Sequence, residues 1–167
     1  MNNIYLTGMM GSGKTTIGQK LSEKLKMNFV DIDNDIESIN DRTILEIFNE
    51  FGESKFREME SAYFIEKSKE KNKIFSTGGG IVLGKKNREV LINKGLTFLL
   101  ESDCDILLDR IKDIENRPLL SGSDNLKTIY DIWDQRKKYY YNSCHHVINV
   151  NNLSVDDAID EIITILN

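Results

Sequence analysis

GMMGSGKT, at residues 8–15, fits the phosphate-binding pattern G-x-x-x-x-G-K-[ST] at every position. The apolar run Ile4–Thr7 before it is typical of a buried strand, and Ile17, Leu21 and Leu25 after it recur at helical spacing. Glycines let the backbone turn tightly and approach an anion closely, and successive N–H groups at a helix N-terminus attract phosphate. The pattern therefore predicts a nucleotide site, and the alternative is a glycine-rich turn without a ligand.

Short apolar runs and helical patterns alternate along the rest of the chain. Further strands are predicted at Phe29–Ile32, Ile74–Thr77, Leu96–Leu100 and Val147–Val150. Further helices are predicted near residues 44–51, 56–69, 87–93, 103–112, 126–141 and 155–166. Strands separated by helices favour right-handed crossovers and a parallel sheet, so the predicted fold class is α/β. Such sheets bind ligands at the carboxyl ends of their strands, and the candidate site residues are sought there.

The composition is typical of a globular domain without nucleic-acid affinity. The chain has 167 residues, of which 40% are apolar and 29% charged, and this predicts a single domain. The net charge of −5 argues against general nucleic-acid binding. No apolar run has the length of a membrane span, and the N-terminal MNNIYLTG lacks the pattern of a signal peptide. We therefore expect a cytoplasmic monomer that binds neither nucleic acid nor membranes.

Two acidic residues follow the second predicted strand. Asp31 and Asp33 are two positions apart, and alternation would place both on one side of an extended segment. In phosphate-binding loops of this type, Lys14 is expected to contact the β- and γ-phosphates and the Thr15 hydroxyl to ligate Mg²⁺. One aspartate could then hold Mg²⁺ through water while the other meets an acceptor hydroxyl. The alternative is a pair of helix-capping or solvated acids.

Three further features could serve an anionic substrate. Gly78–Gly80 follow the third strand, where they either bring the backbone close to a ligand or make a flexible turn. Arg57 and Glu60 can pair on a helix, either to orient Arg57 towards an anion or as an ordinary surface ion pair. Arg117 lies in a polar stretch that could close over phosphates. The aromatic residues of the following helix are expected to be packing residues: Trp133 and Tyr139–Tyr141.

Taken together, these residues resemble shikimate kinase, and the resemblance covers nearly the whole chain. The matching pieces are GMMGSGKTT at 8–16, DID at 31–33, FREME at 56–60, TGGG at 77–80, RPLL at 117–120 and Arg136. The phosphate-binding loop occurs in many enzymes, whereas the joint set in this order and spacing is far more specific. The resemblance implies a three-layer P-loop fold like that of nucleoside monophosphate kinases, with a five-stranded parallel sheet in the order 2-3-1-4-5 flanked by helices. It also implies one P-loop kinase domain over residues 1–167, with substrate-binding helices at about 33–61 and a lid loop at about 112–124.

The activity that the resemblance implies is transfer of the ATP γ-phosphoryl group to the 3-hydroxyl of shikimate, with Mg²⁺ as cofactor and ATP as co-substrate. The implied nucleotide-binding residues are Gly11, Ser12, Gly13, Lys14, Thr15, Thr16, Arg110 and Arg117. The implied substrate-binding residues are Asp33, Arg57, Gly79, Gly80 and Arg136. The implied metal residues are Thr15 and Asp31, and the implied catalytic residues are Lys14, Asp33 and Arg117. By the same resemblance Arg110 packs on adenine, the two substrate arginines bind the carboxylate, and Asp33 is either the base or only positions the hydroxyl.

The chain departs from the family pattern in one region. Around Asn151–Leu153 family members often carry a proline-containing adenine loop, and this chain has no proline there. The nearest rival function is that of another small-molecule or nucleotide kinase with the same architecture. A GTP-hydrolysing switch or a non-catalytic nucleotide-binding module is a rival from a different class. A GTPase would be expected to show D-x-x-G after the third strand and N-K-x-D later, but the chain has TGGG in the first place and no N-K-x-D.

Overall fold

A computed structural model describes residues 2–111, 118–120 and 124–167. The strands within these ranges are β1 (Asn3–Thr7), β2 (Asn28–Asp31), β3 (Lys73–Ser76), β4 (Gly95–Glu101) and β5 (His146–Asn149). They pair in parallel in one sheet whose order is β2-β3-β1-β4-β5. The α/β class, the parallel sheet and the implied strand order are therefore confirmed.

The helices flank this sheet and connect its strands. Those in the described part of the chain are α1 (Lys14–Leu25), α2 (Ile32–Asn40), α3 (Ile44–Lys67), α4 (Lys85–Asn93), α5 (Cys104–Arg110), α6 (Asn125–Tyr141) and α7 (Val155–Leu166). Two short 3₁₀ turns occupy Ile81–Leu83 and Pro118–Leu120. No helix within the described residues is long and apolar enough to span a membrane.

Helix α2 is the main difference from the pattern of apolar residues, although the resemblance implied helices from about residue 33. The predicted strand ran to Ile32, but β2 ends at Asp31, whose side chain accepts a hydrogen bond from the Asn34 backbone N–H and caps α2. Ile32 and Ile36 lie one helical turn apart and are both buried, so this short helix is fixed by packing. The prediction that Asp31 and Asp33 lie on one side of an extended segment is wrong, because Asp33 lies in the first turn of α2.

Helix α3 joins two helices that were predicted separately. Only Gly52 departs from helical geometry, with φ 80° and ψ 163°, so the predicted gap of several residues is a single kink. A positive φ of this size favours glycine, because a Cβ makes it strained for other residues. Thr43 begins the helix with a capping box that it forms with Glu46.

The core is divided by the sheet into two apolar layers, which makes the fold three-layered as implied. Along β1, Ile4 and Leu6 pack with α1 and α7, while Tyr5 packs with α3 on the other face. The Tyr5 ring stacks on Phe75 at 5.0 Å and meets the edge of Phe64 at 5.6 Å. Because β2, β3 and β1 are neighbours, the segments that follow these three strands meet at one edge of the sheet.

Candidate active site

A cavity of about 600 Å³ opens at this edge of the sheet. The predicted site residues that line it are Gly11, Gly13, Lys14, Thr15, Thr16, Asp31, Asp33, Arg57, Gly79, Gly80, Arg110 and Arg136. Ser12 lines an adjoining cavity of about 300 Å³ instead. Arg117 lies outside the described residues, as do 112–116 and 121–123 of the predicted lid. In the described part of that lid, Pro118 and Leu119 line the larger cavity.

The loop between β1 and α1 has a shape that requires glycine. Gly8 has φ 143° and Gly11 has φ 80°, and a Cβ on them would lie 2.5 Å from Leu100 O and 2.8 Å from Leu107 O respectively. The first hydrogen bond of α1 runs from Ile17 N–H to Gly13 O, at 2.9 Å. The N–H groups at the start of α1 therefore point out of the helix at its positive end, which is suited to bind an anion.

The Lys14 ammonium is held close to its own loop. This side chain is buried, and its Nζ donates to Gly8 O at 3.0 Å and to Met9 O at 2.9 Å. A buried cation beside the positive end of a helix creates a strongly positive concave surface. This end of the cavity is therefore suited to a polyphosphate.

Three oxygen-bearing side chains meet next to this loop. Thr15 Oγ1 donates to Asp31 Oδ2 at 2.7 Å and lies 3.2 Å from Ser76 Oγ. Asp31 also caps α2 through its other oxygen, so the two alternatives for this residue, helix cap and site residue, coexist. Hydroxyl and carboxylate oxygens are the ligands that Mg²⁺ prefers, usually together with substrate phosphates and water. The donor set therefore fits Mg²⁺.

Ser76 was not among the predicted site residues. It pairs with Asp31 in the register of β2 and β3, and this register brings its hydroxyl to Thr15. No local motif marks a serine at the end of a strand as a site residue. The signal is the strand pairing itself, which the local sequence does not give.

Asp33 and Glu60 bring two buried carboxylate oxygens to one place. Asp33 Oδ1 and Glu60 Oε1 have no hydrogen-bond partner among the described residues. A Cβ built on Gly78 would lie 2.8 Å from the first oxygen and 2.2 Å from the second, so both press against this glycine. Burial, and then the charges of Glu60 and Asp31, raise the pKa of Asp33 to about 7. Asp33 is therefore a carboxyl group that can take up a proton near neutral pH and that lacks a donor.

Arg57 forms the predicted pair with Glu60, but the pair is not on the surface. Arg57 Nη1 donates to Glu60 Oε2 at 2.8 Å, and Glu60 is only 1% exposed. A Cβ on Gly80 would lie 2.2 Å from Arg57 Cζ, so the guanidinium packs directly against this glycine. Burial favours a lower pKa for Arg57, but Glu60 and Glu53 outweigh burial and raise the pKa. The guanidinium is thereby fixed in place as a cation on the cavity wall.

Arg136 is the second cation on this wall and is only 5% exposed. Its Nη1 donates to Gly79 O at 3.1 Å. Within the described residues no carboxylate lies within salt-bridge distance of Arg136. Burial lowers its pKa, and the charge of Arg57 acts in the same direction. A buried guanidinium with no carboxylate at salt-bridge distance is costly, and an anionic ligand in the cavity would lower that cost.

Arg110 joins the larger cavity to the smaller one. Its Nη2 donates to Val150 O at 2.8 Å and to Asn151 O at 3.0 Å, so it holds the segment after β5 beside the phosphate-binding loop. Leu153 and Val155 contribute apolar surface to the smaller cavity. The region without the family's proline therefore still forms an apolar wall.

Comparisons with known proteins bear on this site. The sequence model of the family described as "Shikimate kinase" matches residues 10–167. The shikimate kinase of Caldicellulosiruptor saccharolyticus is 42% identical over 165 residues, which cover 99% of this chain and 95% of that protein. The shikimate kinase of Caldicellulosiruptor bescii is 41% identical over the same length and with the same coverage.

Solved structures agree with the sequence comparisons. The structure of shikimate kinase from Acinetobacter baumannii in complex with shikimate has a TM-score of 0.96 and 34% identity, and covers 99% of this chain and 93% of that one. Deoxyadenosine kinase from M. mycoides has a TM-score of 0.64 at 19% identity, and covers 99% of this chain and 98% of that one. The second likeness shows the shared fold alone.

Proposed function

The chain belongs to the shikimate kinase family, and from this premise we propose that it transfers the γ-phosphoryl group of ATP to the 3-hydroxyl of shikimate. The products are shikimate 3-phosphate and ADP. The observation that carries the proposal is Arg136, a buried cation without a carboxylate partner among the described residues, in the same cavity as the phosphate-binding loop. An acceptor that brings its own carboxylate would supply the missing counter-ion.

The nucleotide end of the cavity supports ATP as the donor. The N–H groups of the phosphate-binding loop and Lys14 would hold the phosphates, with Lys14 at the β- and γ-positions. The smaller apolar cavity beside Arg110 would take the adenine. The transferred group would then lie at the Lys14 end of the larger cavity, next to the acceptor.

Thr15, Asp31 and Ser76 would hold Mg²⁺, the first directly and Asp31 through water. The ion would neutralise charge on the β- and γ-phosphate oxygens. The role of Ser76 follows from its 3.2 Å distance to the Thr15 hydroxyl.

The acceptor end supports a small hydroxylated acid. Arg57 and Arg136 would bind the carboxylate, since guanidinium groups present paired N–H donors that match it. Asp33 Oδ1 would accept the proton of an acceptor hydroxyl, and its pKa of about 7 suits an acid–base group that works near neutral pH. Gly79 and Gly80 would border the ring, where a larger side chain would displace Arg57.

The substrate-binding segment at about 33–61 corresponds to α2 and most of α3, and we propose that it carries the acceptor as the resemblance implies. Arg117 would act from the lid as a further cation for phosphate and acceptor. Its variant Arg117→Ala should lower turnover more than it weakens ATP binding, because charge stabilisation of a transferring phosphoryl group is a large catalytic effect.

The direct test measures ADP release from Mg·ATP with and without shikimate in a coupled assay. We expect a large shikimate-dependent rate, and phosphorus NMR of the product should place the phosphate on the 3-hydroxyl. Nucleoside monophosphates and other hydroxylated acids form the control panel. A nucleotide or a different acid as the best acceptor would refute the proposal and leave the P-loop kinase fold intact.

Two coarser expectations belong with this proposal. We propose that the protein acts as a monomer in the cytoplasm and that its small-molecule partners are ATP and shikimate. Sedimentation at assay concentration tests whether the protein is a monomer, because a dimer would have twice the mass of 19.2 kDa. Fractionation of cells that express the chain tests whether the protein is in the cytoplasm.

A further inference from the structure

Tyr140 is a buried residue that lies behind the wall of the active-site cavity. It is 0% exposed and lines neither cavity. Its hydroxyl nevertheless donates to Gly79 O at 2.5 Å, which is the shorter of the two hydrogen bonds to this carbonyl. The sequence analysis assigned Tyr140 to packing, and this hydrogen bond gives it a second role.

The Gly79 carbonyl is shared by two donors from one helix. Arg136 and Tyr140 lie four positions apart on α6, so their side chains project from the same face. Both donate to Gly79 O. Burial raises the pKa of Tyr140 to about 12, so its hydroxyl keeps its proton and remains a donor at neutral pH. The carbonyl is thereby fixed, and the fixed carbonyl holds one edge of the Arg136 guanidinium.

The same hydrogen bond fixes the peptide between Gly79 and Gly80. A trans peptide is planar, so an anchored carbonyl also fixes the direction of the Gly80 N–H. No acceptor for the N–H of Gly79 or Gly80 is present among the described residues. Two successive glycines would otherwise let this peptide rotate freely. Since Gly80 lies against the Arg57 guanidinium, rotation of the peptide would also disturb Arg57.

The ring of Tyr140 is itself held in place. Trp133 stacks on it with a centroid distance of 5.9 Å and an interplanar angle of 24°. A stacked, fully buried ring leaves the hydroxyl little freedom, which suits a group that sets the position of others. Trp133 thus supports Tyr140, and Tyr140 in turn supports the wall that carries Arg57 and Arg136.

We propose that Tyr140 is a positioning residue for the carboxylate of the acceptor: its hydroxyl anchors the Gly79 carbonyl and, through it, sets the Arg136 guanidinium and the peptide before Gly80. The inference rests on the proposed function, because it concerns the same acceptor site. It adds a residue that makes no contact with the acceptor and that determines how strongly the carboxylate is bound.

The test compares Tyr140→Phe with Tyr139→Phe. Both variants lose only a hydroxyl from the same helix, but the Tyr139 ring packs against Arg88 and its hydroxyl has no hydrogen bond within the described residues. Tyr140→Phe should raise the KM for shikimate by about 5- to 10-fold, the effect of one lost neutral hydrogen bond, with the KM for ATP unchanged. Tyr139→Phe should leave both constants unchanged. An unchanged shikimate KM in Tyr140→Phe, or equal rises for both substrates, would overturn the inference.

A second comparison separates positioning from general loosening of the fold. The methyl ester of shikimate keeps the hydroxyl groups but lacks the charged carboxylate. If Tyr140 acts through the carboxylate site, Tyr140→Phe should lower kcat/KM for shikimate and leave kcat/KM for the ester close to the wild-type value. Equal losses with both acceptors would show a purely structural role and would overturn the inference.

Two controls complete the experiment. If Tyr140→Phe does not fold, Trp133→Leu decides the question, because it loosens the ring and leaves the hydroxyl: a raised shikimate KM at unchanged ATP KM supports the inference, and an unchanged shikimate KM overturns it. The wild-type enzyme is measured first. Failure of shikimate-dependent ADP release there would overturn the proposed function and this inference together, whereas a normal wild type with an unaffected Tyr140→Phe overturns the inference alone.

Discussion

Asp33→Asn should make the protein more stable and at the same time nearly inactive. The wild-type carboxyl has a pKa raised from 3.8 to about 7 in the folded state, chiefly by burial. The unfolded state then loses this proton at a lower pH than the folded state does. The free energy of unfolding therefore falls as the pH rises from the unfolded pKa to the folded pKa. Asparagine cannot ionise and carries no such cost. The variant should therefore gain stability relative to wild type as the pH rises.

The size of the gain follows from the shift. A shift of about three pKa units corresponds to at most ~4 kcal/mol. Solvent reaches part of the Asp33 residue and screens its charge, so we expect ~1–3 kcal/mol. For a protein of this size each kcal/mol moves Tm by roughly 2–4 °C. The Tm of Asp33→Asn should then exceed that of wild type by roughly 3–10 °C above pH ~7, and the difference should fall towards zero near pH ~4.

The assay is thermal unfolding of both proteins without ligands across this pH range, with turnover measured on the same preparations. Turnover should fall by roughly 10²–10⁴, the range for a positioned acid or base. Asp134→Asn is the matched control, because Asp134 is an exposed partner of Lys137 and the loss of a surface ion pair should leave Tm nearly unchanged. A variant that is less stable than wild type at pH ~8, or a Tm difference that is the same at every pH, would refute the reasoning. If only the KM for shikimate changes, Asp33 binds the acceptor without acting in catalysis.

Three further substitutions test the cavity. Lys14→Met should fold normally and lose nearly all turnover in the coupled assay, because the contact to the β- and γ-phosphates disappears; a variant that keeps most of its rate would contradict this role. Arg57→Lys should raise the KM for shikimate by roughly 10- to 100-fold and the KM for ATP much less, because a point charge cannot replace a guanidinium fork. Equal losses for both substrates in steady-state kinetics would argue against a carboxylate role. Gly80→Ala should also weaken shikimate binding by calorimetric titration, since its Cβ would lie 2.2 Å from Arg57 Cζ, and unchanged affinity would show that the guanidinium can move without loss.

The fold was predictable from the sequence wherever the pattern was local. The phosphate-binding loop and helix α7 follow directly from their residues, and α7 has the predicted bounds. The apolar pattern extended β2 through Ile32 and did not show α2, which only the capping alternative for Asp31 and the family resemblance indicated. The strand order was implied by the family resemblance, since no single segment of the chain specifies which strands are neighbours.

The candidate site, like the fold, was predictable where the signal lies in a local sequence motif. Motif residues such as Lys14 and Arg57 were found because their spacing carries the signal. Ser76 and Tyr140 were not, because each acquires its role through a partner distant in the sequence: Ser76 through the pairing of β2 with β3, and Tyr140 through Gly79, which lies 61 positions away. Non-local partners of this kind are decided by the packing of the sheet and helices, which local patterns do not encode.

The unsatisfied groups of the cavity argue for two ligands rather than one. The start of α1 presents its positive end to a phosphate; within the described residues, Arg136 has no carboxylate at salt-bridge distance and Asp33 Oδ1 has no donor. A polyphosphate suits the start of α1 but offers no hydroxyl donor to Asp33, and a hydroxylated carboxylic acid satisfies the other two but does not reach the loop. An unsatisfied buried polar or charged group costs stability, so binding of both ligands should stabilise the fold more than binding of one. Mg·ATP and shikimate together should therefore raise Tm by more than either ligand alone at matched saturation, and this is the behaviour of a site built to bring a phosphate donor and a hydroxyl acceptor together.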